Sequence, residues 1–171
     1  MREGPAKPSV DAMTTIRVHV DSSLPPDALL FAARDFSPRR YDIFPAVSAE
    51  HFEVHSAAGT TADVTEGTPA GIGINWERCA YDWSASDRVV ATVTDSNVYL
   101  PQASSWELIA TPSGAGSRVE ITWVRSFKHT PRGIFWATLY ATMGRLLFRG
   151  YARDVVHNIE RLDNEHHETL T

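Results

Sequence analysis

A chain of 171 residues, 43% hydrophobic and 22% charged, can build one domain with a sizeable core; this excludes global disorder and leaves no room for two ordinary domains. Against 21 Asp and Glu stand 16 Lys and Arg, so with a net charge of -5 neither a nucleic acid nor an anionic membrane, which would repel the chain, is expected as a partner. The one cysteine, Cys79, precludes an internal disulfide and fits a reducing cytoplasm.

Residues 1–13 read as a disordered leader: Gly4, Pro5, Pro8 and several charges leave no apolar stretch of signal-peptide length, and Met13 offers an alternative start. The apolar region Ile134 to Phe148 is interrupted by Arg145 and falls short of a bilayer span, so no stable membrane insertion is expected. The first strand is expected over Thr14–Val20, where Ile16, Val18 and Val20 share a face by period-two alternation. Asp21, Ser22 and Ser23 offer caps, Pro25 and Pro26 suit a first helical turn, and Leu29, Leu30, Ala33 and Phe36 have helical spacing, which predicts a helix over Pro26–Phe36. Ser37-Pro38 stops it and precedes a shorter helix, Arg39–Phe44, ended by Pro45.

Six further strands are predicted near Val47–His55, Thr60–Thr65, Gly71–Tyr81, Arg88–Thr94, Ser104–Thr111 and Arg118–Phe127. Turn chemistry separates them, including Glu66 to Ala70 with Gly67 and Pro69, and Pro112 to Gly116. Such short separators favour antiparallel hairpins, since parallel crossovers need a dozen or more residues. From Pro131 to about Glu165 the pattern is one long helix or two abutting ones, and residues 165–171 read as a disordered polar tail.

The long helix carries a stripe of Phe135, Trp136, Leu139, Met143, Leu146 and Leu147, which moves round the helix after Gly150 to Tyr151, Ala152, Val155, Ile159 and Leu162. Either the helix bends near Gly150 or its halves meet different surfaces: the first roofing a cavity, the second clamping the sheet.

Strand, two short helices, six strands and a long helix is the order of a helix grip, an α+β fold in which a curved antiparallel sheet of about seven strands wraps the C-terminal helix. This order, with Trp76-Glu77-Arg78, Tyr81-Asp82-Trp83-Ser84, Asp95-Ser96-Asn97, Ser105-Trp106-Glu107-Leu108 and Gly116-Ser117-Arg118-Val119, resembles the START-like (SRPBCC, birch-pollen-allergen-like) superfamily. The likeness is to its bacterial polyketide cyclase/dehydrase and lipid-transport branch and covers about residues 14–164. It implies a hydrophobic cavity between sheet and helix that binds lipids, sterols or polyketides, with no cofactor, and does not by itself imply catalysis.

Alternation proposes the lining. Val119, Ile121, Trp123, Arg125 and Phe127 share one face, as do Trp106, Leu108 and Ala110, and a third set is Ile72, Ile74, Trp76, Arg78 and Ala80. With Trp136, Leu139, Tyr140 and Met143 from the helix, the expected cavity residues are Trp76, Arg78, Trp106, Leu108, Ile121, Trp123, Arg125, Trp136, Leu139, Tyr140 and Met143. Arg78 and Arg125 either anchor a ligand oxygen, pair with Glu77, Glu107, Glu120 or Asp95, or emerge at the sheet rim.

Ser96 and Asn97 are expected to shape a strand end, and Tyr81 and Trp83 to serve architecture. For a cyclase, Arg78, Arg125, Tyr140 and His129, the last where the final strand meets the long helix, are chemically eligible as polarising donors or base. His51 and His55 on a strand lie about 13 Å apart, too far to share one metal, and no metal site is expected. No nucleophile elbow, zinc helix, dinucleotide fingerprint or phosphate loop occurs.

Three functions fit this reading: a binder of a small hydrophobic ligand, a polyketide cyclase or aromatase using the cavity as a template, or a regulatory or stress-linked interaction module whose cavity is filled by Trp106, Trp123 and Trp136. The chain is expected to be a monomer or a homodimer.

Overall fold

Period-two alternation builds most of the sheet. The computed structural model describes residues 13–70 and 73–168, with the side chains of residues 166–168 left undescribed. Within it run β1 (Thr14–Ser22), α1 (Pro26–Ala33), α2 (Arg40–Ile43), a 3-10 turn (Ala49–His51), β2 (Phe52–Ala58), β3 (Thr61–Ala70), β4 (Gly73–Asp82), β5 (Arg88–Ser96), β6 (Ser105–Ser113), β7 (Gly116–Arg125) and α3 (Pro131–Glu168). Apart from Met13 the expected leader lies outside the described residues, and so does the end of the expected tail; residues 165–168 continue α3.

All seven strands form one antiparallel sheet in the order β1-β7-β6-β5-β4-β3-β2. The curved sheet and the long C-terminal helix make the expected helix-grip α+β architecture. Val89, Ala91 and Val93 of β5, Trp106, Leu108 and Ala110 of β6, and Val119, Ile121 and Trp123 of β7 supply its buried face. The β6–β7 hairpin turns at Gly114, whose φ of +59° is a conformation that glycine adopts without steric cost. Both short helices follow β1, and α1 stops one turn before the expected end at Phe36.

Gly67 and Pro69, expected in a turn, lie inside β3. The reason is where β2 stops. Pairing of β2 with β3 ends at Phe52 opposite Glu66, so beyond Glu66 one side of β3 has no partner strand in the ladder and the missing N–H of Pro69 costs nothing. Gly67 is needed there because the 3-10 turn crosses it: a Cβ at that position would stand 2.5 Å from the His51 Cβ.

α3 is a single helix through Gly150, and its two halves have different neighbours. Its second half buries Ala152, Val155, Val156 and Ile159, and the helix packs on β1, α1 and α2. Asn158 Nδ2 donates to the carbonyl of Ile43 at 3.3 Å. Glu160 Oε1 accepts from Ser22 Oγ at 2.7 Å, Ser23 N at 2.8 Å and Ser23 Oγ at 3.0 Å, tying the helix to the end of β1.

In the first half the inward row is Trp136, Tyr140, Gly144 and Phe148, at four-residue spacing. Gly144 lets the backbone approach β1, since a Cβ there would meet Ile16 Cδ1 at 2.7 Å. The stripe expected to be buried is therefore displaced: Phe135, Met143 and Leu146 are 50%, 46% and 70% exposed.

Candidate functional site

Between the sheet, α2 and the first half of α3 lies a cavity of about 500 Å³. Its waist is aromatic. Trp106 and Trp123 project from the sheet, Phe148 and Tyr151 from α3, and Trp123 packs on Phe148 with ring centroids 4.5 Å apart. Leu108, Ile121 and Val155 complete the apolar wall.

Two arginine–glutamate pairs border this space. Arg40 on α2, 1% exposed, has every nitrogen engaged: Nε donates to Glu66 Oε1 at 2.8 Å, Nη1 to the Ala33 carbonyl at 2.8 Å and Nη2 to Tyr81 Oη at 2.9 Å. Tyr81 Oη in turn donates to Glu66 Oε2 at 2.9 Å, and the guanidinium lies 3.9 Å from the centre of the Phe44 ring. Burial pulls the Arg40 pKa down, but the charge of Glu66, the hydrogen bond to it and the neighbouring Tyr81 and Tyr151 together more than offset it, and the group stays protonated. A closed network of this kind is architectural.

The second pair is open. Arg125, 4% exposed, donates from Nη1 and Nη2 to the two oxygens of Glu77 at 3.1 and 3.3 Å, with Tyr99 beneath its guanidinium at 4.5 Å. The Tyr99 and Tyr140 hydroxyls are hydrogen-bonded at 2.8 Å. Burial raises the Glu77 carboxyl above the usual carboxylate range, against the pull of Arg125, and it raises both tyrosines. Arg125 Nε has no partner. Nor do Trp136 Nε1 and Asn75 Oδ1, and among the described residues these are the buried side-chain polar atoms without one; all three residues line the cavity. An unpaired buried donor or acceptor costs about 1–3 kcal/mol, so these two N–H groups and one oxygen, all on lining residues, are unmet polar groups in the cavity wall.

Of the residues expected in the lining, Trp76, Trp106, Leu108, Ile121, Trp123, Arg125, Trp136 and Tyr140 border the cavity, whereas Arg78, Leu139 and Met143 do not. Arg78 lies on the opposite face of β4, bonded from Nε to Asp63 Oδ1 at 2.8 Å. The inward set on β4 is Glu77, Cys79 and Tyr81, opposite in parity to the expected one; a register shift between β4 and β5 falls between Arg78 and Cys79, and near it both Trp76 and Glu77 reach the cavity.

His129 is exposed and outside the lining, and among the described residues no cluster of His, Cys, Asp and Glu suits a metal. Ser96 and Asn97 are bonded to β4: Ser96 Oγ donates to the Trp76 carbonyl at 2.7 Å, Asn97 Nδ2 to that of Ile74 at 2.8 Å. Glu66, Glu77, Arg40 and Tyr99 were absent from the expected site. Only Glu77 carried a usable signal, its two-residue spacing from Cys79 and Tyr81.

No protein-family model matches the chain, and no curated protein does. Solved structures match over most of its length. A protein from Thermus thermophilus, TTHA0849, superposes with a TM-score of 0.71 at 13% identity, covering 87% of this chain and 99% of that one. The Zhui aromatase/cyclase from Streptomyces sp. R1128 gives 0.71 at 16% identity, covering 88% and 95%. A START superfamily protein from Mycobacterium smegmatis gives 0.64 at 10%, covering 86% and 98%. The chain has the START-type helix-grip fold. At these identities the START-type likeness fixes the architecture, and the chemistry rests on the cavity's own residues. Among the described residues no helix is long and apolar enough to cross a membrane.

Proposed function

We propose that the chain is a cytoplasmic binding protein for one small, flat, largely apolar molecule that carries oxygen at one end. The observation behind this reading is the cavity's polarity: an aromatic waist beside an end where Arg125 Nε, Trp136 Nε1 and Asn75 Oδ1 lack partners. A carbonyl or phenol oxygen would accept from the two N–H groups, and a hydroxyl would donate to Asn75. Because Glu77 already offsets the charge of Arg125, a neutral ligand fits better than a carboxylate. Among lipids, sterols and polyketides, this favours an oxygenated polycyclic or polyketide-like molecule over a plain acyl chain. A space of about 500 Å³ between the walls bearing Trp106, Trp123 and Trp136 speaks against a module with a filled core.

Native mass spectrometry of gently purified protein, followed by denaturation and identification of the released molecule, tests the reading. Tryptophan fluorescence then reports binding of that molecule or of a flat phenolic probe. An empty protein whose fluorescence no hydrophobic probe alters would sink it.

A second reading, a cofactor-independent polyketide cyclase, draws on Glu77. Its carboxyl is held above the usual range beside Arg125 and the Tyr99–Tyr140 pair. There it can take a proton from a carbon next to a carbonyl while Arg125 or Trp136 holds the carbonyl oxygen. Conversion of a synthetic polyketone by the wild type but not by Glu77→Gln separates enzyme from binder.

A further inference from the structure

The first half of α3 presents an outer face that the fold leaves uncovered. Ile134, Phe135, Met143, Leu146 and Leu147 are between 45% and 70% exposed, and they are five of the eight exposed large hydrophobic residues of the described chain. Leu147 also belongs to the cavity lining, so the apolar surface continues from the helix's outer side into the pocket.

The charges that this stretch of the chain itself carries have one sign. From Lys128 to Arg153 the sequence contains Lys128, Arg132, Arg145, Arg149 and Arg153 and not one Asp or Glu, so this stretch is strongly cationic although the whole chain carries a net charge of -5. Arg145, Arg149 and Arg153 are exposed, recur every four residues and therefore form a row; none of the ion pairs among the described residues engages them. Leu146 and Arg149, three apart, bring the apolar and cationic rows side by side.

We infer that this face docks on an anionic lipid surface, with Phe135, Met143 and Leu146 entering the headgroup boundary and the arginine row on lipid phosphates. Apolar side chains flanked by arginines whose stems can snorkel are what an interfacial helix requires. The acidic excess elsewhere does not oppose this, because charges beyond a Debye length of about 8 Å are screened at physiological salt. A second copy fits less well, since a two-fold contact across this face would set the arginine row against itself.

The full-length chain is tested by co-sedimentation with phosphatidylcholine vesicles made with or without phosphatidylserine. The expected result is binding that requires phosphatidylserine and weakens as salt rises. Reversing Arg145 and Arg149 together to Glu should lower the bound fraction roughly tenfold or more. Leu146→Asp should lower it comparably, with thermal melting of both variants checked against the wild type. No binding at low salt, or equal binding by wild type and both variants, would overturn the inference. So would light scattering that shows a dimer dissolved by Leu146→Asp. No cavity ligand enters the assay, so its result is independent of the ligand proposed above.

Discussion

Glu66 and Glu77 stand directly opposite each other across β3 and β4, and each is neutralised by an arginine from a different part of the chain, Arg40 from α2 and Arg125 from β7. Like charges facing each other across a ladder destabilise a sheet, and burial adds to that cost at Glu77. Removing one arginine therefore strands a carboxylate. Arg125→Met should destabilise the protein by about 3–5 kcal/mol, and adding Glu77→Gln should recover most of the loss.

The sign of the pH effect follows from Glu77's raised folded value. Its penalty is absent below the unfolded carboxylate pKa of about 4.3 and grows as pH rises through the folded one. Urea unfolding of Arg125→Met at about pH 5 and about pH 8 should show the larger deficit at the higher pH.

Trp136→Phe keeps an aromatic ring and deletes the unpaired N–H. Stability should hold or rise slightly, while affinity for a carbonyl-bearing aromatic probe should fall by about fivefold to tenfold, measured by calorimetric titration. Equal loss of stability and affinity would mean that the indole is wall and nothing more.

Two glycines should respond oppositely to alanine. At Gly116 a Cβ would stand 2.0 Å from the carbonyl oxygen of Ser22, so the β6–β7 hairpin would have to move off the end of β1, at a cost of about 1–3 kcal/mol. At Gly150, inside α3, nothing lies within 4 Å of the added carbon, and alanine should stabilise by about 0.5–1 kcal/mol through helix propensity. Differential scanning calorimetry of the two variants reads both signs.

Glu160 supplies an acid-labile clamp. Burial raises its carboxyl, but hydrogen bonds from Ser22 and Ser23 outweigh that and hold it below the usual range. Its contribution is therefore present above the unfolded pKa and disappears as pH falls through the lower folded value. Glu160→Gln should cost about 1 kcal/mol near neutrality, a figure kept small because the group is largely solvated, and the gap to wild type should close in acid. Melting curves across that range test it.

The fold was legible because alternation in β5, β6 and β7 is strong and their buried faces are almost purely apolar. The edges of the site were not. On β4, Ile74 and Trp76 suggest one inward parity while Cys79 and Tyr81 obey the other, and no local pattern announces the register shift between them. On α3, Gly144 occupies the inward row, so hydrophobicity pointed to the outer stripe. Arg40 and Glu66 leave no local trace in the sequence, because their buried ion pair joins residues 26 positions apart and periodicity carries no information about partners so distant.

One end of the sheet is thinly built. β2 pairs with β3 alone, and from Glu53 to Ala58 its residues are exposed. Such a strand offers a row of backbone donors and acceptors on which another chain could add itself and begin a fibril. The register shift between Val54 and Ser56 interrupts the pairing, and a bulge at this position twists an edge away from flat stacking. Glu53 places a charge beside it, so protection against self-assembly is concentrated in four consecutive positions of the strand that contributes least to the core.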